Sequence, residues 1–285
     1  MEVTLDIVQR LIEEQFFQWK DLKIYPVEKS GHDNYTFHLG DNMVIRLPSG
    51  KDYAAQISKE NTWLPFLQKQ LDYPISNPLS VGKPTSYYPF PWSINQWIEG
   101  KTLLECKEID NIVFARDLAI ALRKLQSVEC VSGPKAGIHN FYRGGDLKVY
   151  NLEVLQALEE LKNCLPTDKL LEVWNQCIST VYKGQGVWVH GDIAPGNILL
   201  KDNRFSGLID FGILGVGDPA CDYAMAWTYF DVESRKNFLK DLPLDLIARA
   251  RGWALWKALI TYNDFKIDVK KNARDTINAI LDETM

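Results

Sequence analysis

The chain has 285 residues, of which 46% are hydrophobic and 24% charged, as expected for a globular protein with a sizeable core. The net charge of −5 forms no acidic or basic block, which argues against a nucleic-acid partner. The five cysteines form no CxxC pair, which argues against a zinc ribbon or a disulfide framework and favours reduced thiols in the cytoplasm.

The first 98 residues are predicted to be rich in strands. An amphipathic helix comes first, and its acidic start is unlike a signal peptide. The Gly40-Asp41-Asn42 tripeptide favours a tight turn between two strands, and Pro65 is expected to kink or break the helix that follows. Strands are predicted over residues 22–27, 34–39, 43–47 and 93–98, and the helix over residues 54–71.

The remainder of the chain is predicted to be mainly helical. Helices are expected over residues 112–125, 152–165 and 170–181, and again after residue 222. No apolar run approaches the roughly 18 residues that a membrane-spanning helix needs. These patterns predict an α+β protein with an N-terminal lobe of residues 1–98 and a C-terminal lobe of residues 99–285.

The segment from Val187 to Gly212, VWVHGDIAPGNILLKDNRFSGLIDFG, carries the most informative chemical pattern. Short strands are predicted within it over residues 187–189, 197–200 and 205–209. Such a hairpin would bring Asn197 close to Asp210, with Asp192 just before it. One carboxylate is then left to orient a hydroxyl group, while an amide and a second carboxylate can hold Mg²⁺. Kinases divide the work of phosphoryl transfer in this way.

Each of these three side chains also has an ordinary structural interpretation. Asp192 could cap the backbone of its own turn, Asn197 could begin a strand, and Asp210 could end one. The spacing of all three together favours catalysis by Asp192 and metal binding by the other two.

The HGDxxxxN motif at residues 190–197 and the IDFG motif at residues 209–212 resemble the catalytic core of the aminoglycoside phosphotransferase family. Members of this family are small-molecule kinases with a two-lobed, protein-kinase-like fold. Gly191 stands where protein kinases place Arg, which favours the small-molecule branch. Residues 139–145 (HNFYRGG), 215–227 (GVGDPACDYAMAW) and 251–259 (RGWALWKAL) also resemble the family, so the resemblance covers almost the whole chain.

The resemblance implies roles for the residues of the central segment. Asp192 is the expected catalytic base, or the residue that orients the acceptor hydroxyl, and Asn197 and Asp210 are expected to bind Mg²⁺. His190 is expected to have a structural role rather than an acid or base role. Asp222 is expected to be a buried helix cap or ion-pair partner.

The resemblance also places ATP or GTP in the N-terminal lobe. Residues 29–35 lie where the nucleotide loop of the family belongs, although Gly31 is the only glycine there. Ser30 and Asn34 could contact phosphate oxygens, and a simple polar hairpin is the alternative. Residues 95–100 resemble the hinge that binds adenine, with the Gln96 carbonyl and the Ile98 amide facing the base.

Arg46 departs from the usual kinase pattern, in which a Lys on this strand pairs with a helix Glu. Glu60 is the best-placed partner, and the guanidinium group of an Arg can donate hydrogen bonds to a carboxylate and a phosphate at the same time. Macrolide-type members of the family resemble the Arg-Leu-Pro pattern found here. The alternative is an exposed residue at the end of a strand.

The leading hypothesis is therefore a Mg²⁺-dependent kinase that moves the nucleotide γ-phosphate onto a hydroxyl of a small molecule, with an aminoglycoside or another antibiotic first among acceptors. A metabolic kinase for a sugar, an amino alcohol or a choline-like compound is one alternative, and a nucleotide-binding pseudokinase is another. Asp218 and Arg143 are undecided between substrate contact and structure. Trp227, Trp253 and Trp256 could line an acceptor pocket or belong to the core.

Overall fold

The computed structural model describes residues 3–28, 33–130 and 132–283. The chain divides into two compact units: unit 1 contains Met1–Lys101 and Ser206–Gly212, and unit 2 contains Thr102–Phe205 and Ile213–Met285. The predicted boundary after residue 98 lies three residues before the observed division, and the sequence did not predict the return of residues 206–212 to unit 1. A sheet with flanking helices in unit 1 and a mainly helical unit 2 confirm the α+β prediction.

Unit 1 is built around a five-stranded antiparallel sheet with the strand order β1-β2-β3-β5-β4. Its strands are β1 (Ile24–Pro26), β2 (Asn34–Leu39), β3 (Met43–Pro48), β4 (Pro78–Gly82) and β5 (Trp92–Gln96). Ile45 lies opposite Phe37 of β2 and Ile94 of β5, which fixes the register of the central strands. Gly40 has φ 61 in the predicted turn between β2 and β3, a conformation that glycine adopts without strain.

Helix α1 (Leu5–Gln15) covers one face of this sheet. The Thr4 side chain caps it by accepting a hydrogen bond from the Ile7 N–H. Its buried residues share a core with the inward side chains of the sheet, among them Val8, Leu11, Ile12, Phe37, Ile45 and Ile94. Because side chains alternate along a strand, Arg46, Ser93 and Asn95 lie on the opposite face.

Helix α2 (Lys51–Gln70) begins three residues before the predicted start and continues through Pro65. The expected break at Pro65 is therefore wrong, whereas the alternative of a kink stays a prediction. A proline removes one backbone hydrogen bond. Burial of Leu64 and Leu67 on either side of it offsets that loss.

Unit 2 contains seven α-helices within the described residues. They are α3 (Asn111–Gln126), α4 (Asn151–Leu161), α5 (Thr167–Ile178), α6 (Met225–Thr228), α7 (Val232–Phe238), α8 (Leu244–Thr261) and α9 (Ile267–Asp282). Helix α8 packs against α4, α5, α6 and α9, so that the consecutive residues Trp253, Ala254 and Leu255 are all buried. A helix that packs against neighbours on several sides is expected to bury consecutive apolar residues in this way.

Five further strands are short. They are β6 (Lys101–Thr102), β7 (Val187–Val189), β8 (Ile198–Lys201), β9 (Arg204–Leu208) and β10 (Gly215–Gly217). β7 pairs antiparallel with β10, with Val189 opposite Gly215. The sequence did not predict β10, because two of its three residues are glycines, which are depleted in strands.

Within the described part of the chain, no helix is both long and apolar enough to cross a lipid bilayer. All five cysteines are free thiols.

Candidate active site

Asp192 lies in the loop after β7, and its side chain is exposed. The residues that hold this loop are buried, and His190 and Asp222 have no accessible surface. The Asp222 carboxylate accepts hydrogen bonds from the backbone N–H groups of His190 and Gly191, each at 2.8 Å. A buried carboxylate therefore fixes the two residues that directly precede Asp192.

Burial raises the pKa of the Asp222 carboxyl group, although the N–H groups of His190 and Gly191 favour its charged form. The Asp192 N–H in turn donates to Nδ1 of His190 at 3.2 Å. This ring nitrogen acts as an acceptor and carries no proton. Asp222 and His190 thus contact the backbone of the loop, as structural residues do.

Gly191 has φ +86, which favours glycine strongly. A Cβ atom at this position would lie 2.7 Å from the carbonyl oxygen of Ile213 and 3.2 Å from Cβ of Arg143. Any other residue here would displace the loop. The turn that presents Asp192 therefore depends on glycine for its conformation and for the space it leaves.

Asn197 directly precedes β8 and binds Asp192 through its side-chain amide. Nδ2 of Asn197 donates to the Asp192 carbonyl oxygen at 3.0 Å and to the Asp192 carboxylate at 2.9 Å. Because the NH₂ group points at Asp192, Oδ1 is the atom of the amide that can bind a cation. The two residues form one polar group at the surface of unit 2.

In unit 1, Arg46 lies on β3 and is only 9% exposed, so the alternative of an exposed strand-end residue is wrong. Nη1 of Arg46 lies 2.7 Å from Oε2 of Glu60, and Nη2 lies 3.5 Å from Oδ1 of Asp210. The Arg46–Glu60 pair that the sequence predicts is present. Its guanidinium group is shared between a fully buried carboxylate and a partly exposed one.

The charges of this group depend on one another. Burial lowers the pKa of Arg46, but the negative charges of Glu60 and Asp210 outweigh burial and leave that pKa above its usual value. Burial raises the pKa of Glu60, and the charge of Arg46 offsets this only in part. A buried ion pair is weak evidence for stability, because desolvation costs about as much as the attraction returns. The pair is better suited to presenting a fixed positive charge to an anion.

Asp210 follows β9 and adopts φ 63, an uncommon conformation for a residue other than glycine. Its side chain is 38% exposed, so one carboxylate oxygen can reach a ligand while the other faces Arg46. Asp210 belongs to unit 1, whereas Asn197 belongs to unit 2. Their predicted proximity stays a prediction.

Nowhere in the described ranges do three or more His, Cys, Asp or Glu side chains come together in a group that could hold a metal ion. Asn197 and Asp210 fit Mg²⁺ by their donor chemistry, since one offers an amide oxygen and the other a carboxylate oxygen. Mg²⁺ prefers such hard donors and keeps several water ligands of its own.

The residues predicted to bind the nucleotide are all in the N-terminal part of the chain. Ser30 and Gly31 lie outside the described residues, and Asn34 begins β2 and is buried. The Gln96 N–H donates to the Asn77 carbonyl oxygen at 3.0 Å. Among the described residues the Ile98 backbone has no hydrogen-bond partner, so it can bind a ligand edge.

A set of buried polar atoms beside the hinge was not predicted. Ser93 and Asn95 are each 1% exposed and Ser76 is 7% exposed. Nδ2 of Asn95 donates to the Ser76 carbonyl oxygen at 2.7 Å, but Asn95 Oδ1 and the two serine hydroxyls have no partner in the described part of the chain. Buried polar atoms are nearly always satisfied, so these three mark a place for water or for a polar ligand edge. Ser93 and Asn95 alternate with core residues along β5, which is the signal that could have revealed them.

Other candidate residues make contacts within unit 2. Oδ2 of Asp218 accepts a 2.6 Å hydrogen bond from Arg249, and Oδ1 caps the following turn at the Ala220 N–H. Trp227, Trp253 and Trp256 are each less than 7% exposed and belong to the core of unit 2. Arg143 donates from Nε to the Gly191 carbonyl oxygen at 3.0 Å, a contact the sequence left open.

Comparison with known proteins places this geometry in a family. The chain is 26% identical over 212 residues to the uncharacterized protein YcbJ of Bacillus subtilis, covering 69% of this chain and 66% of that protein. It is 26% identical over 144 residues to an aminoglycoside 3'-phosphotransferase of Escherichia coli, covering 48% of this chain and 51% of that enzyme. It therefore spans less than two thirds of either relative.

Among solved structures, the GDP complex of wild-type aminoglycoside 2'-phosphotransferase-IIIa has the same fold, with a TM-score of 0.71 and 16% identity. The match covers 97% of this chain and 98% of that chain. The sequence model described as "Phosphotransferase enzyme family" matches residues 26–259, which is most of the chain. The chain belongs to the phosphotransferase enzyme family.

Proposed function

We propose that this protein is a Mg²⁺-dependent phosphotransferase that moves the γ-phosphate of ATP or GTP onto a hydroxyl group of a small molecule. An aminoglycoside or another antibiotic is the leading acceptor. The observation that carries the proposal is the contact between Asp192 and Asn197, in which the side-chain amide of Asn197 donates a hydrogen bond to the exposed carboxylate of Asp192. The residues that hold the loop of Asp192 are buried. Phosphoryl transfer needs little covalent chemistry from a protein, so fixed polar groups supply most of the catalysis.

Asp192 is proposed to accept a hydrogen bond from the acceptor hydroxyl and to take its proton as the acceptor oxygen bonds to the γ-phosphorus and the bond to the departing ADP or GDP breaks. Its carboxylate is exposed, and the loop behind it is held by Asp222 and His190. A positioned general base typically contributes about 10²- to 10⁴-fold to a rate.

Asn197 and Asp210 are proposed to bind Mg²⁺ through Oδ1 of Asn197 and a carboxylate oxygen of Asp210. When bound, the ion would neutralise charge on the phosphate groups. Arg46 is proposed to add a second positive charge near the phosphates, since Glu60 holds its guanidinium group while leaving Nη2 directed at Asp210.

The nucleotide is proposed to contact Asn34, the backbone of Gln96 and Ile98, and the segment that contains Ser30 and Gly31. The available Ile98 backbone and the unsatisfied polar atoms of Ser76, Ser93 and Asn95 support a base edge at this end of β5. The relative solved with GDP and the relative named for aminoglycosides support a nucleotide and an antibiotic as the pair of substrates.

The acceptor is proposed to bind on unit 2, where α4 and α8 form a cleft of about 280 Å³. Glu153 and Glu160 line this cleft together with Gln156 and Asn263. Carboxylates and amides of this kind suit a molecule that carries hydroxyl and amino groups. A cytoplasmic location and the lack of a nucleic-acid partner stay predictions from the composition.

An acceptor screen tests the proposal. Purified protein is incubated with MgCl₂, with ATP or GTP, and with one of kanamycin, erythromycin, glucose, ethanolamine or choline, and the products are followed by phosphorus NMR. We expect a new phosphomonoester signal with an antibiotic, in step with nucleotide consumption. A signal only with glucose, ethanolamine or choline would show that the acceptor is a metabolite and not an antibiotic. Tight nucleotide binding without any product would favour the pseudokinase.

Asp210→Asn tests the metal assignment in the same assay. The substitution keeps the shape of the side chain and removes its charge, so the Mg²⁺ concentration for half-maximal activity should rise. An unchanged Mg²⁺ requirement would contradict the role of Asp210.

A further inference from the structure

Arg143 lies in a loop whose backbone is fixed on both sides of it. Phe141, Tyr142 and Gly144 all have positive φ angles, of 50, 53 and 82. Asn140 donates to the Arg143 carbonyl oxygen at 2.9 Å, and the Asp218 N–H donates to the Gly144 carbonyl oxygen at 2.7 Å. A loop held so tightly at uncommon backbone angles directs its one arginine to a defined place.

The guanidinium group of Arg143 is held between two aromatic faces. Its central carbon lies 4.8 Å from the ring centroid of Trp253 and 5.0 Å from that of Trp256. The two indole rings are nearly perpendicular, and Tyr150 stacks on Trp256 with the ring centroids 3.9 Å apart. Cation–π contacts of this kind are strengthened where water is excluded. The cation is therefore fixed in two directions.

The polar contact of Arg143 goes to the catalytic loop. Nε donates to the Gly191 carbonyl oxygen at 3.0 Å, across 48 residues of sequence. Nη1 is buried and has no partner within the described ranges, so no carboxylate competes there for this nitrogen. The Cβ of Arg143 also fills the space beside Gly191 that a larger residue would need.

The Gly191 carbonyl and the Asp192 N–H belong to the same planar peptide unit. Arg143 holds the oxygen of that unit, and His190 Nδ1 accepts from its N–H at 3.2 Å. The N–H on the other side of Gly191 is held by Asp222. A rigid plane fixed at both of its polar ends determines where the next Cα, that of Asp192, must lie.

We propose that Arg143 is a positioning residue for Asp192, which acts by clamping the Gly191–Asp192 peptide through the Gly191 carbonyl oxygen. This rests on the proposed function only in taking Asp192 as the reacting carboxylate. Trp253 and Trp256, two of the three tryptophans that could have lined an acceptor pocket, instead hold this cation.

The test compares Arg143→Ala with the matched control Arg251→Ala. Arg251 also places its guanidinium group over an indole, 5.4 Å from the Trp227 centroid, and it donates to Glu283 at 3.1 Å. Amide hydrogen exchange by NMR needs no acceptor, so it reports on the clamp even if the proposed function fails. Exchange at Asp192 and Gly191 should rise about tenfold or more in Arg143→Ala and stay unchanged in Arg251→Ala. Unchanged exchange at both amides in folded Arg143→Ala would overturn the proposal.

Turnover supplies a second readout once the screen has found an acceptor. In Arg143→Ala, kcat should fall about 10- to 100-fold, as expected for a misplaced reacting group, with both KM values within about threefold. Added guanidinium ion should restore part of the rate in this variant and not in Arg251→Ala. A rise in the acceptor KM with kcat unchanged would instead make Arg143 a ligand contact and overturn the positioning role.

Folding of the variants is controlled separately. Arg143→Lys keeps the cation between the two indoles and should give an intermediate exchange rate. If neither variant folds, the exchange of the Arg143 Nε–H is measured by NMR in the wild-type protein. A Nε–H that donates to the Gly191 carbonyl oxygen should give a slowly exchanging signal near neutral pH. An Arg143 Nε–H that exchanges as fast as that of the exposed Arg274 would contradict the clamp.

Discussion

Asp192 in unit 2 and Asp210 in unit 1 are carboxylates that each follow a short strand, yet different forces hold them. Asp192 is placed mainly through the backbone of its loop, which Asp222, His190 and Arg143 hold by hydrogen bonds. Its carboxylate also accepts a hydrogen bond from the side-chain amide of Asn197. Asp210 is placed in part through its side chain, by a charged contact with Arg46, which pairs with the buried Glu60.

The difference teaches how each region should respond to change. Hydrogen bonds to backbone groups are directional, so Asp192 should be sensitive to the shape and number of acceptors around its loop. A buried ion pair requires both charges, so the group around Asp210 should be sensitive to the loss of one charge. Substitutions that keep the shape of a side chain and remove its charge therefore test whether the two carboxylates are held by different forces.

The largest expected effect on stability is in unit 1. Glu60→Gln keeps the volume of the side chain but leaves the Arg46 cation buried, with Asp210 3.5 Å away as its remaining carboxylate. The free energy of unfolding should fall by about 3–5 kcal/mol, measured by urea denaturation. Adding Arg46→Met should cost less than the sum of the two single changes, because contacting residues couple.

The matched control is the exposed pair of Arg10 and Glu14, which are also 2.7 Å apart and 60% and 43% exposed. Solvent screens such a pair, so Glu14→Gln should change stability far less. Equal losses from Glu60→Gln and Glu14→Gln would show that burial does not distinguish the two pairs.

A smaller loss is expected for Asp222→Asn in unit 2. One amide oxygen replaces two carboxylate oxygens, so one of the N–H groups of His190 and Gly191 loses its acceptor in the interior. The expected loss is about 1–3 kcal/mol in the free energy of unfolding, together with slower turnover. Asp231→Asn is the control, because this cap accepts from the Ser234 N–H and Asn caps equally well. Equal stability of Asp222→Asn and the wild type would argue against the support assigned to Asp222.

The smallest effect concerns Lys59, next to Glu60 on α2. Burial lowers the pKa of Lys59 to about 8, against the attraction of Glu60. Between about pH 8 and pH 10.5 the unfolded chain then binds more protons than the folded one, so the free energy of unfolding contributed by this group should rise with pH. Lys59→Met should remove that rise, as measured by urea denaturation at pH 8, 9 and 10. Parallel pH profiles of variant and wild type would contradict the lowered pKa.

Local patterns predicted local structure well. The bounds of β2 and β7 agree with prediction, because alternation and flanking turns lie within a few residues. The Arg46–Glu60 pair could also be predicted from the sequence, since the partners are 14 residues apart on a strand and the next helix. The break expected at Pro65 was wrong because the sequence shows the local loss of a backbone hydrogen bond. It does not show the tertiary contacts that bury the helix residues around Pro65.

The support of the loop could not be predicted in the same way. Asp222 and Arg143 reach Gly191 from 31 and 48 residues away, and periodicity carries no information about such pairs. The chemistry of the central motif could be predicted from the sequence. The residues that give the motif its geometry could be identified only once the fold was known.

Asp192→Ala tests the central claim most directly, with the acceptor that the wild type phosphorylates fastest. If Asp192 orients and deprotonates the acceptor hydroxyl, kcat should fall by about 10²- to 10⁴-fold while the nucleotide dissociation constant and the thermal midpoint stay the same. A fall in kcat of less than about fivefold would contradict the catalytic role of Asp192, since it would remove hardly any transition-state stabilisation.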